Sequence, residues 1–480
     1  MRSADLLAIL PLIVVAATAI VVMLAIAVRR NHRVTAALTL AGLALAFASI
    51  WMAAPETSRQ LTPLLIADGY GLFYTGLIIA ATFVTVLLAH GYWAGREGPP
   101  EEMYLLVLIA TTGALVLVYS SHFASFFLGL EILSVALYAL IGYNKAREPL
   151  EAALKYLVLA AASAAFLLFG MALIYAELGT MEFHDIGAAL ALPGANLTLL
   201  LPAFALIVTG FGFKLALVPF HLWTPDVYQG ASAPITAYIA TVSKGAMFAL
   251  LLRYFRDTAV SNYAAMYAVF AIIAVASMVV GNLLALLQNN VKRILAYSSI
   301  AHLGYVLVAF LAGGERGAEA VTFYLVAYFV TILGAFGVIA VVSPADREWE
   351  SIDDYRGLFY RRPALAAVFT AMLLSLAGIP LTAGFIGKFF IVAAGASAAQ
   401  WTLIIILVVT SAIGLFYYLR IIVAIYSSVA IYSSPSGEPL AARLAPVGAA
   451  TLAALTVLLI WLGVYPRPWL DLIGRAVRLL

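Results

Sequence analysis

The chain has 480 residues, of which 65% are hydrophobic and only 10% are charged, and its mean hydropathy is +1.06. Soluble domains carry about 25% charged residues, so this sequence has too few charges to cover a water-exposed surface. The composition predicts a polytopic membrane protein, and the small net charge of +3 argues against a nucleic-acid partner.

Fourteen apolar runs are long enough for a helix to cross a bilayer, which takes about 20 residues. No soluble domain interrupts them, so we expect a single all-α membrane domain over 1–480. The runs lie at about 5–28, 34–53, 70–93, 103–120, 123–143, 150–176, 198–229, 233–254, 262–287, 292–312, 318–342, 363–394, 402–430 and 444–464.

Basic residues accumulate in short cytoplasmic loops, so their distribution predicts the orientation. The loops after odd-numbered runs hold 15 of them: Arg29, Arg30, Arg33, Arg96, Lys145, Arg147, Lys155, Lys292, Arg293, Arg347, Arg356, Arg361, Arg362, Arg420 and Arg443. The opposite side holds 8: Arg2, Arg59, Arg253, Arg256, Arg316, Arg467, Arg475 and Arg478. This bias predicts cytoplasmic odd-numbered loops and both termini outside.

Three lysines lie inside apolar runs and are not assigned to any loop, namely Lys214, Lys244 and Lys388. A lysine in hydrocarbon costs several kcal/mol, about 2.5 or more at a helix centre, so each is a functional hypothesis. Two of them lie close to a proline inside a long apolar run. Pro219 interrupts run seven in KLALVPFHLW, and Pro380 interrupts run twelve in LAGIPLTAGFIGKFF. Proline frees carbonyls that need a polar neighbourhood, although a kink alone is commonly structural.

The two broken runs occupy matching positions in two blocks of five. In runs four to eight and runs nine to thirteen, the broken run is the fourth and carries a lysine. The second run of each block carries another ionisable group, Glu131 or His302. Because five is an odd number, the blocks are predicted to be inverted repeats, 101–258 and 259–432. The three N-terminal helices, 1–100, and the last helix with its tail, 433–480, flank them.

Helical rise places Glu131, Lys244 and His302 about 12–17 Å into their helices, near the bilayer midplane. One alternative is a set of structural ion pairs between helices. Lys244 and Lys388, however, have no intramembrane carboxylate left over. An unpaired lysine in a dry bundle must lose its proton or keep water beside it, and either condition suits proton transfer.

Two polar segments remain outside the runs. The connector 343–363, SPADREWESIDDYRGLFYRRP, is expected to be a solvated linker that docks on the bundle or on a neighbour rather than a catalytic element. The tail after Pro466 is expected to form a short amphipathic helix in the membrane interface.

The sequence has no cysteine, which excludes disulfides and cysteine-ligated iron–sulfur clusters. Its six histidines are scattered, and no two have the three- or four-residue spacing of a helical metal-binding pair. We expect no metal, cofactor or catalytic centre in this chain.

Four segments carry a family resemblance: KLALVPFHLWTPDVYQGASAPITAYIATVSK, NNVKRILAYSSIAHLGY, LAGIPLTAGFIGKF and SAIGLFYYLRIIVAIY. They resemble the antiporter-like subunits of respiratory complex I, the bacterial proton-pumping NADH:quinone oxidoreductase. PFHLWTPD marks a wider superfamily that includes multi-subunit sodium/proton antiporters. The lysine in run twelve favours the branch called subunit N over its sister subunit M. The resemblance is strong from run four to run thirteen, and the other helices match by number only.

The resemblance implies roles for five residues. Glu131 and Lys214 match a coupling ion pair, and Lys244 matches a central proton-carrying lysine. Lys388 matches the lysine at the outlet, and His302 matches a group that bridges two half-channels. Separating Glu131 from Lys214 would then push positive charge toward Lys244, and protons would leave through His302 and Lys388.

Further positions match with smaller roles. Lys292 and Tyr305 match helpers of the bridging group, and His221 and Lys155 match positions of less defined function. Leu381 stands where the family has a second proline, so we expect a slightly softer break in run twelve.

The implied function is proton translocation in a bacterial inner membrane, with both termini periplasmic. NADH, FMN, iron–sulfur clusters and quinone are then expected in partner subunits, and the partners are a neighbouring antiporter-like subunit and small membrane subunits. A sodium/proton antiporter subunit and a non-pumping structural subunit remain alternatives. An intramembrane enzyme is disfavoured, because no nucleophile–base pair appears at matching depth.

Overall fold

The computed structural model describes residues 3–96, 98–192, 196–260, 263–428 and 446–479. Arg2 and Arg443, which entered the count of basic loop residues, lie outside these ranges. Within them, thirteen helices of at least 18 residues are apolar enough to cross a membrane. Two shorter helices, Pro363–Ala377 and Ala383–Ser397, form one further crossing, so each of the fourteen predicted runs corresponds to a helical crossing.

The crossings are numbered α1 to α14, with the two halves of a broken helix marked a and b. They are α1 Leu10–Val28, α2 His32–Ala53, α3 Gly69–Trp93, α4 Glu101–Tyr119, α5 Phe123–Ile141, α6 Arg147–Leu178, α7a Leu197–Lys214, α7b Trp223–Gly230, α8 Ala233–Asp257, α9 Ala264–Leu286, α10 Val291–Ala312, α11 Gly314–Val342, α12a Pro363–Ala377, α12b Ala383–Ser397, α13 Trp401–Tyr426 and α14 Pro446–Val464.

Smaller elements lie at the helix ends. An antiparallel hairpin of β1, Arg59–Thr62, and β2, Leu65–Ala67, follows α2, and the sequence did not predict it. A short helix, Phe183–Leu190, follows α6. The predicted tail helix forms as α15, Arg467–Arg478, and packs an apolar side against α3 and α11.

Polar residues begin several crossings. Asp68 accepts a hydrogen bond from the Gly71 amide at 2.6 Å at the start of α3, and Asn290 accepts one from the Arg293 amide at 3.1 Å at the start of α10. These side chains satisfy amides that have no partner within the helix. The loop polarity that separates the apolar runs therefore also fixes where the helices begin.

The first two helices of each predicted repeat pack closely through a glycine. In the first block, a Cβ atom on Gly113 would lie 2.6 Å from the backbone nitrogen of Leu133 in the neighbouring helix. In the second block, a Cβ atom on Gly281 would lie 2.7 Å from the backbone nitrogen of Ala301. Glycine thus lets α4 approach α5, and α9 approach α10, at the same place in each block.

The core of the bundle is formed by α8, α10 and α11. The most apolar stretch of α8 is entirely buried inside the protein, whereas only one-third of the most apolar stretch of α6 is buried. Lys244 and His302 lie on two of these central helices and are 1% and 3% exposed. Ionisable groups are therefore held where the protein itself excludes lipid.

The break in the seventh crossing spans Leu215 to Leu222, with Ala216 at a φ of +57°. Neighbouring side chains bind the backbone groups that the break leaves free. Ser277 Oγ of α9 accepts a hydrogen bond from the Val218 amide at 3.0 Å. Trp223 Nε1 donates to the carbonyl of Phe213 at 2.9 Å. The predicted break around Pro219 is confirmed.

The break in the twelfth crossing spans Gly378 to Thr382, around Pro380. The softening expected from Leu381, relative to a second proline, stays a prediction. Leu381 has a φ of +70°, which proline cannot adopt because its ring holds φ near −65°. The leucine therefore permits a backbone turn that a second proline would forbid.

Two basic residues that the count assigned to loops, Arg253 and Lys292, are instead buried on helices. Arg253 is 1% exposed within α8 and forms a buried ion pair with Asp68, with contacts of 2.6 and 3.0 Å. Lys292 is 1% exposed at the start of α10 and pairs with Glu348 at 2.5 Å. Burial thus does not distinguish Lys214, Lys244 and Lys388 from these two residues. What distinguishes them is that Arg253 and Lys292 each pair with a carboxylate.

Candidate functional site

Lys244 lies at the centre of the core, directly after a π-helical turn, Ile239–Ser243, in α8. Such turns are rare in proteins overall, but those that occur are often at functional sites. The Lys244 ammonium donates to Ser299 Oγ of α10 at 2.6 Å. The same oxygen accepts a hydrogen bond from the Tyr328 hydroxyl at 2.7 Å and lies 3.3 Å from the Tyr228 hydroxyl. Lys244 therefore faces a cluster of hydroxyl groups and not a carboxylate.

His302 lies one turn further along α10 and contacts a second hydroxyl cluster. Its Nδ1 is 2.6 Å from the Tyr324 hydroxyl, and its Nε2 is 3.0 Å from the Tyr418 hydroxyl. Tyr418 also bonds Ser298, the chain neighbour of Ser299. Both imidazole nitrogens thus have a partner that can donate or accept.

Lys388 lies at the break of the twelfth crossing. Its ammonium donates to the carbonyls of Leu376 and Ala377 at 3.0 and 2.9 Å, at the C-terminal end of α12a, and to Ser411 Oγ at 2.6 Å. A cation is favoured at the negative end of a helix dipole. The break therefore supplies the acceptors for this lysine, which also lies 5.3 Å from the ring centroid of Tyr305.

Tyr305 connects this end of the site to α9 and α13. Its hydroxyl accepts a hydrogen bond from Asn282 Nδ2 at 2.9 Å, and Asn282 Oδ1 accepts one from the Tyr417 hydroxyl at 3.0 Å. His302 and Tyr305 are also ring neighbours, with centroids 5.4 Å apart. The predicted helper thus lies between His302 and Lys388.

Lys214 forms the other end of the site, as the last residue of α7a. It donates to Ser134 Oγ at 2.6 Å and to the Tyr156 hydroxyl at 3.0 Å. Glu131 is half-buried one turn before Ser134 and acts on Lys214 electrostatically. Within the described ranges Glu131 and Lys214 do not form a direct ion pair. The contact implied by the resemblance is therefore not made in this structure.

The three membrane lysines thus share one property. Among the residues that the structure describes, none of the three forms an ion pair with a carboxylate. Hydroxyls and carbonyls stabilise an ammonium less than a carboxylate does and can also hydrogen-bond to a neutral amine. These lysines are therefore suited to gaining and losing a proton.

Two further predicted positions, Lys155 and His221, lie outside the hydroxyl clusters. Lys155 is half-exposed on α6 and bonds Asp226 at 2.8 Å, and Arg293 binds the other oxygen of Asp226 at 2.8 Å. His221 is buried in the break of the seventh crossing, and its Nδ1 has no hydrogen-bond partner in the described structure. Lys155 joins helices at the surface, and neither residue contacts the hydroxyl clusters.

Sequence reasoning missed the hydroxyl residues of the site. Tyr324 and Tyr328 are four residues apart on α11, which places them on one face of a helix. That spacing was a usable signal. It also missed a pair of histidines at the ends of α2 and α3, where His90 Nδ1 lies 3.2 Å from His32 Nε2, because 58 residues separate them in the chain.

Known proteins resemble this chain in sequence and fold. Residues 120–414 match the family described as NADH:quinone oxidoreductase/Mrp antiporter, TM. A chain of respiratory complex I from Thermus thermophilus is 35% identical, with 97% of this chain and 99% of that chain covered and a TM-score of 0.82.

Two other solved complexes contain similar chains. A chain of the Mrp complex from a Dietzia species is 22% identical, with 99% and 97% of the two chains covered and a TM-score of 0.86, which shows a shared fold. A chain of an archaeal respiratory membrane complex, the membrane-bound sulfane sulfur reductase, is 26% identical, with 99% and 98% covered and a TM-score of 0.82. All three relatives are parts of multi-subunit membrane complexes.

Proposed function

Because this chain belongs to the NADH:quinone oxidoreductase/Mrp antiporter transmembrane family, we propose that it is a proton-translocating membrane-arm subunit of an NADH:quinone oxidoreductase, corresponding to subunit N. In this proposal it moves protons along Glu131, Lys214, Lys244, His302 and Lys388. The redox chemistry that drives this transfer takes place in other subunits.

The observation that carries the proposal is the arrangement of hydroxyls between buried bases without carboxylate partners. Lys244 shares Ser299 with Tyr328, and the neighbouring Ser298 shares Tyr418 with His302. A hydroxyl both donates and accepts, so each can receive a proton on one side and release one on the other. A purely structural core would gain nothing from leaving buried lysines without counter-charges.

Charge repulsion provides the coupling. A negative charge on Glu131 favours an ammonium at Lys214, and moving that charge away disfavours it. The proton that leaves Lys214 raises the positive charge near Lys244, and the next proton moves past His302 to Lys388. Moving one charge against 100 mV takes about 2.3 kcal/mol, which sets the coupling energy required for each proton.

Several further features follow from the proposal. NADH, FMN, iron–sulfur clusters and quinone belong to partner subunits. The direct neighbours are another antiporter-like subunit and small membrane subunits in the bacterial inner membrane. Both chain termini then face the periplasm. Domain limits of 101–258 and 259–432 for the two repeats form part of the same proposal.

The test uses the assembled complex in proteoliposomes, with pumping driven by NADH oxidation. Lys244→Met keeps the length of the side chain and removes its proton-carrying group, and Lys145→Met, at an exposed loop lysine, is the matched control. We expect pumping to fall in the first variant and to be normal in the second. Normal pumping and quinone reduction in Lys244→Met would refute the assignment.

The alternative function, sodium/proton antiport, gives a different result. If the purified complex exchanges protons for sodium without any redox substrate, and NADH drives no proton movement, the chain is an antiporter subunit. Proton uptake that depends on NADH and is insensitive to a sodium gradient supports the proposal.

A further inference from the structure

The connector between α11 and α12a folds back into the bundle and inserts one carboxylate there. Glu348 Oε2 lies 2.5 Å from Lys292 Nζ, and Glu348 Oε1 accepts a hydrogen bond from the Ala233 amide, the first residue of α8, at 2.8 Å. The Glu348 side chain is 10% exposed. The connector therefore docks on the bundle as predicted, but it is not simply a solvated linker.

Several bonds fix this part of the connector to the start of α10. The Val291 amide donates to the carbonyl of Glu350 at 2.6 Å, and Asn290 Nδ2 donates to its carboxylate at 2.6 Å. The Trp349 amide donates to Ser343 Oγ at 2.9 Å. Glu348 is therefore held in place from both sides along the chain.

A polar cavity of about 350 Å³ leads to the pair, and Lys292 and Glu348 form part of its wall. Arg96, Glu148 and Glu350 also line it, so water in the cavity meets charged groups on several sides. A water molecule occupies about 30 Å³ in the liquid, so a cavity of this size holds several. It lies on the side of the connector, which the distribution of basic residues predicts to be cytoplasmic.

The pair lies on the helix face that leads to Ser299, the partner of Lys244, but the described hydrogen bonds between them end on backbone carbonyls, which accept a hydrogen bond and cannot pass a proton on. Lys292 Nζ also donates to the carbonyl of Ala231 at 2.7 Å, and Thr236 Oγ1 lies 3.2 Å from the same oxygen and from the carbonyl of Tyr228. The Tyr228 hydroxyl reaches Ser299, the partner of Lys244. Lys292 and Ser299 are seven residues apart on α10, which is two turns or about 10 Å on one helix face.

We propose that Glu348 takes up protons from water in this cavity and passes them through Lys292 to Lys244. This inference rests on the proposed function and adds the intake residue to it. Lys292 gives its proton to a water molecule on its Ser299 side and becomes neutral, because its inward protein contact, the Ala231 carbonyl, cannot take up a proton. Glu348 then loses the neighbouring positive charge that held it ionised, accepts a proton from a hydronium ion in the cavity, which becomes water, and transfers the proton to Lys292. Each cycle takes one proton from the cavity and delivers one toward Lys244, and the ion pair is restored.

The test compares two carboxylates of the same cavity in the assembled complex. Glu348→Gln keeps an oxygen for the Ala233 amide but cannot carry a proton, and Glu350→Gln is the matched control, because Glu350 bonds Asn290 and Gln229 and not a lysine. We expect NADH-driven proton pumping in proteoliposomes to fall at least about tenfold in Glu348→Gln and to be unchanged in Glu350→Gln.

A second variant separates proton uptake from a structural role of Glu348 at the start of α8. In Glu348→Ala, added formate, a small weak acid, is expected to restore part of the pumping, whereas it does not restore pumping in Lys244→Met. Wild-type pumping in Glu348→Gln, or no rescue of Glu348→Ala by formate, overturns the inference. If Lys244→Met also pumps normally, the proposed function fails as well.

Discussion

The buried pair of Asp68 and Arg253 yields a sharp prediction about stability. Asp68→Asn removes the negative charge but keeps a side-chain oxygen for the Gly71 amide, so the cap of α3 survives. Arg253, 1% exposed, is then left inside the protein without an ion-pair partner. Breaking such a pair on one side costs about 3–5 kcal/mol.

The contacts of Arg253 show what the substitution removes. Both terminal nitrogens of Arg253 bind Asp68, at 2.6 and 3.0 Å, and the other acceptor is the carbonyl of Val118 at 3.4 Å. Arg253 Nε has no hydrogen-bond partner in the described structure. Asp257 also acts on Arg253 electrostatically, but it forms no ion pair with it in the described structure.

Thermal unfolding of the purified complex in detergent, followed by tryptophan fluorescence, measures the effect. We expect a clear loss of thermal stability in Asp68→Asn and recovery of most of it in Asp68→Asn/Arg253→Met, because the double variant removes the buried guanidinium that had lost its ion-pair partner. The double variant should also pump normally, since Arg253 lies nine residues, about 13 Å, from Lys244 on α8. Unchanged stability in Asp68→Asn would refute the reasoning.

Two further predictions concern the site and its pH dependence. Ser299→Ala removes the acceptor of Lys244 and is expected to slow pumping about tenfold or more, the equivalent of the roughly 1.5–3 kcal/mol of a hydrogen bond to a charged group; an unchanged pumping rate would show that the hydroxyl is dispensable. Burial raises the pKa of Glu348, but the charge and hydrogen bond of Lys292 lower it by more, so its pKa lies below the usual value. Its carboxylate therefore stabilises the docked connector fully above about pH 4.3 and loses this effect as the pH falls through the lower folded pKa. Amide hydrogen exchange of the connector, corrected for intrinsic rates, should rise only below this range, and loosening between pH 7 and 6 would contradict the assignment.

The fold was predictable because the relevant signals are local. The length of each apolar run determines a crossing, and Pro219 and Pro380 mark both breaks. The repeat followed from the matching positions of these prolines and of their neighbouring lysines. Even so, the loop count misplaced Arg253 and Lys292, because counting charges cannot reveal a partner that is distant in the sequence.

The rest of the site depends on contacts between distant residues. Glu348 meets Lys292 across 56 residues, and Asp68 meets Arg253 across 185. Ser299 resembles many other small residues in apolar helices, so its place beside Lys244 follows only from how α8 packs on α10. The short strands β1 and β2 were missed because three or four residues carry too little pattern.

The central claim, that Lys244 carries the proton, is tested most directly by the rate of NADH-driven proton pumping in proteoliposomes that contain the Lys244→Met complex. Lys145→Met serves as the control for the loss of a lysine. The proposed path predicts that pumping falls sharply in Lys244→Met and not in Lys145→Met. Quinone reduction in Lys244→Met either falls together with pumping or continues without it; both results fit the proposed path. Equal pumping and quinone reduction in both variants and in the wild type would contradict it.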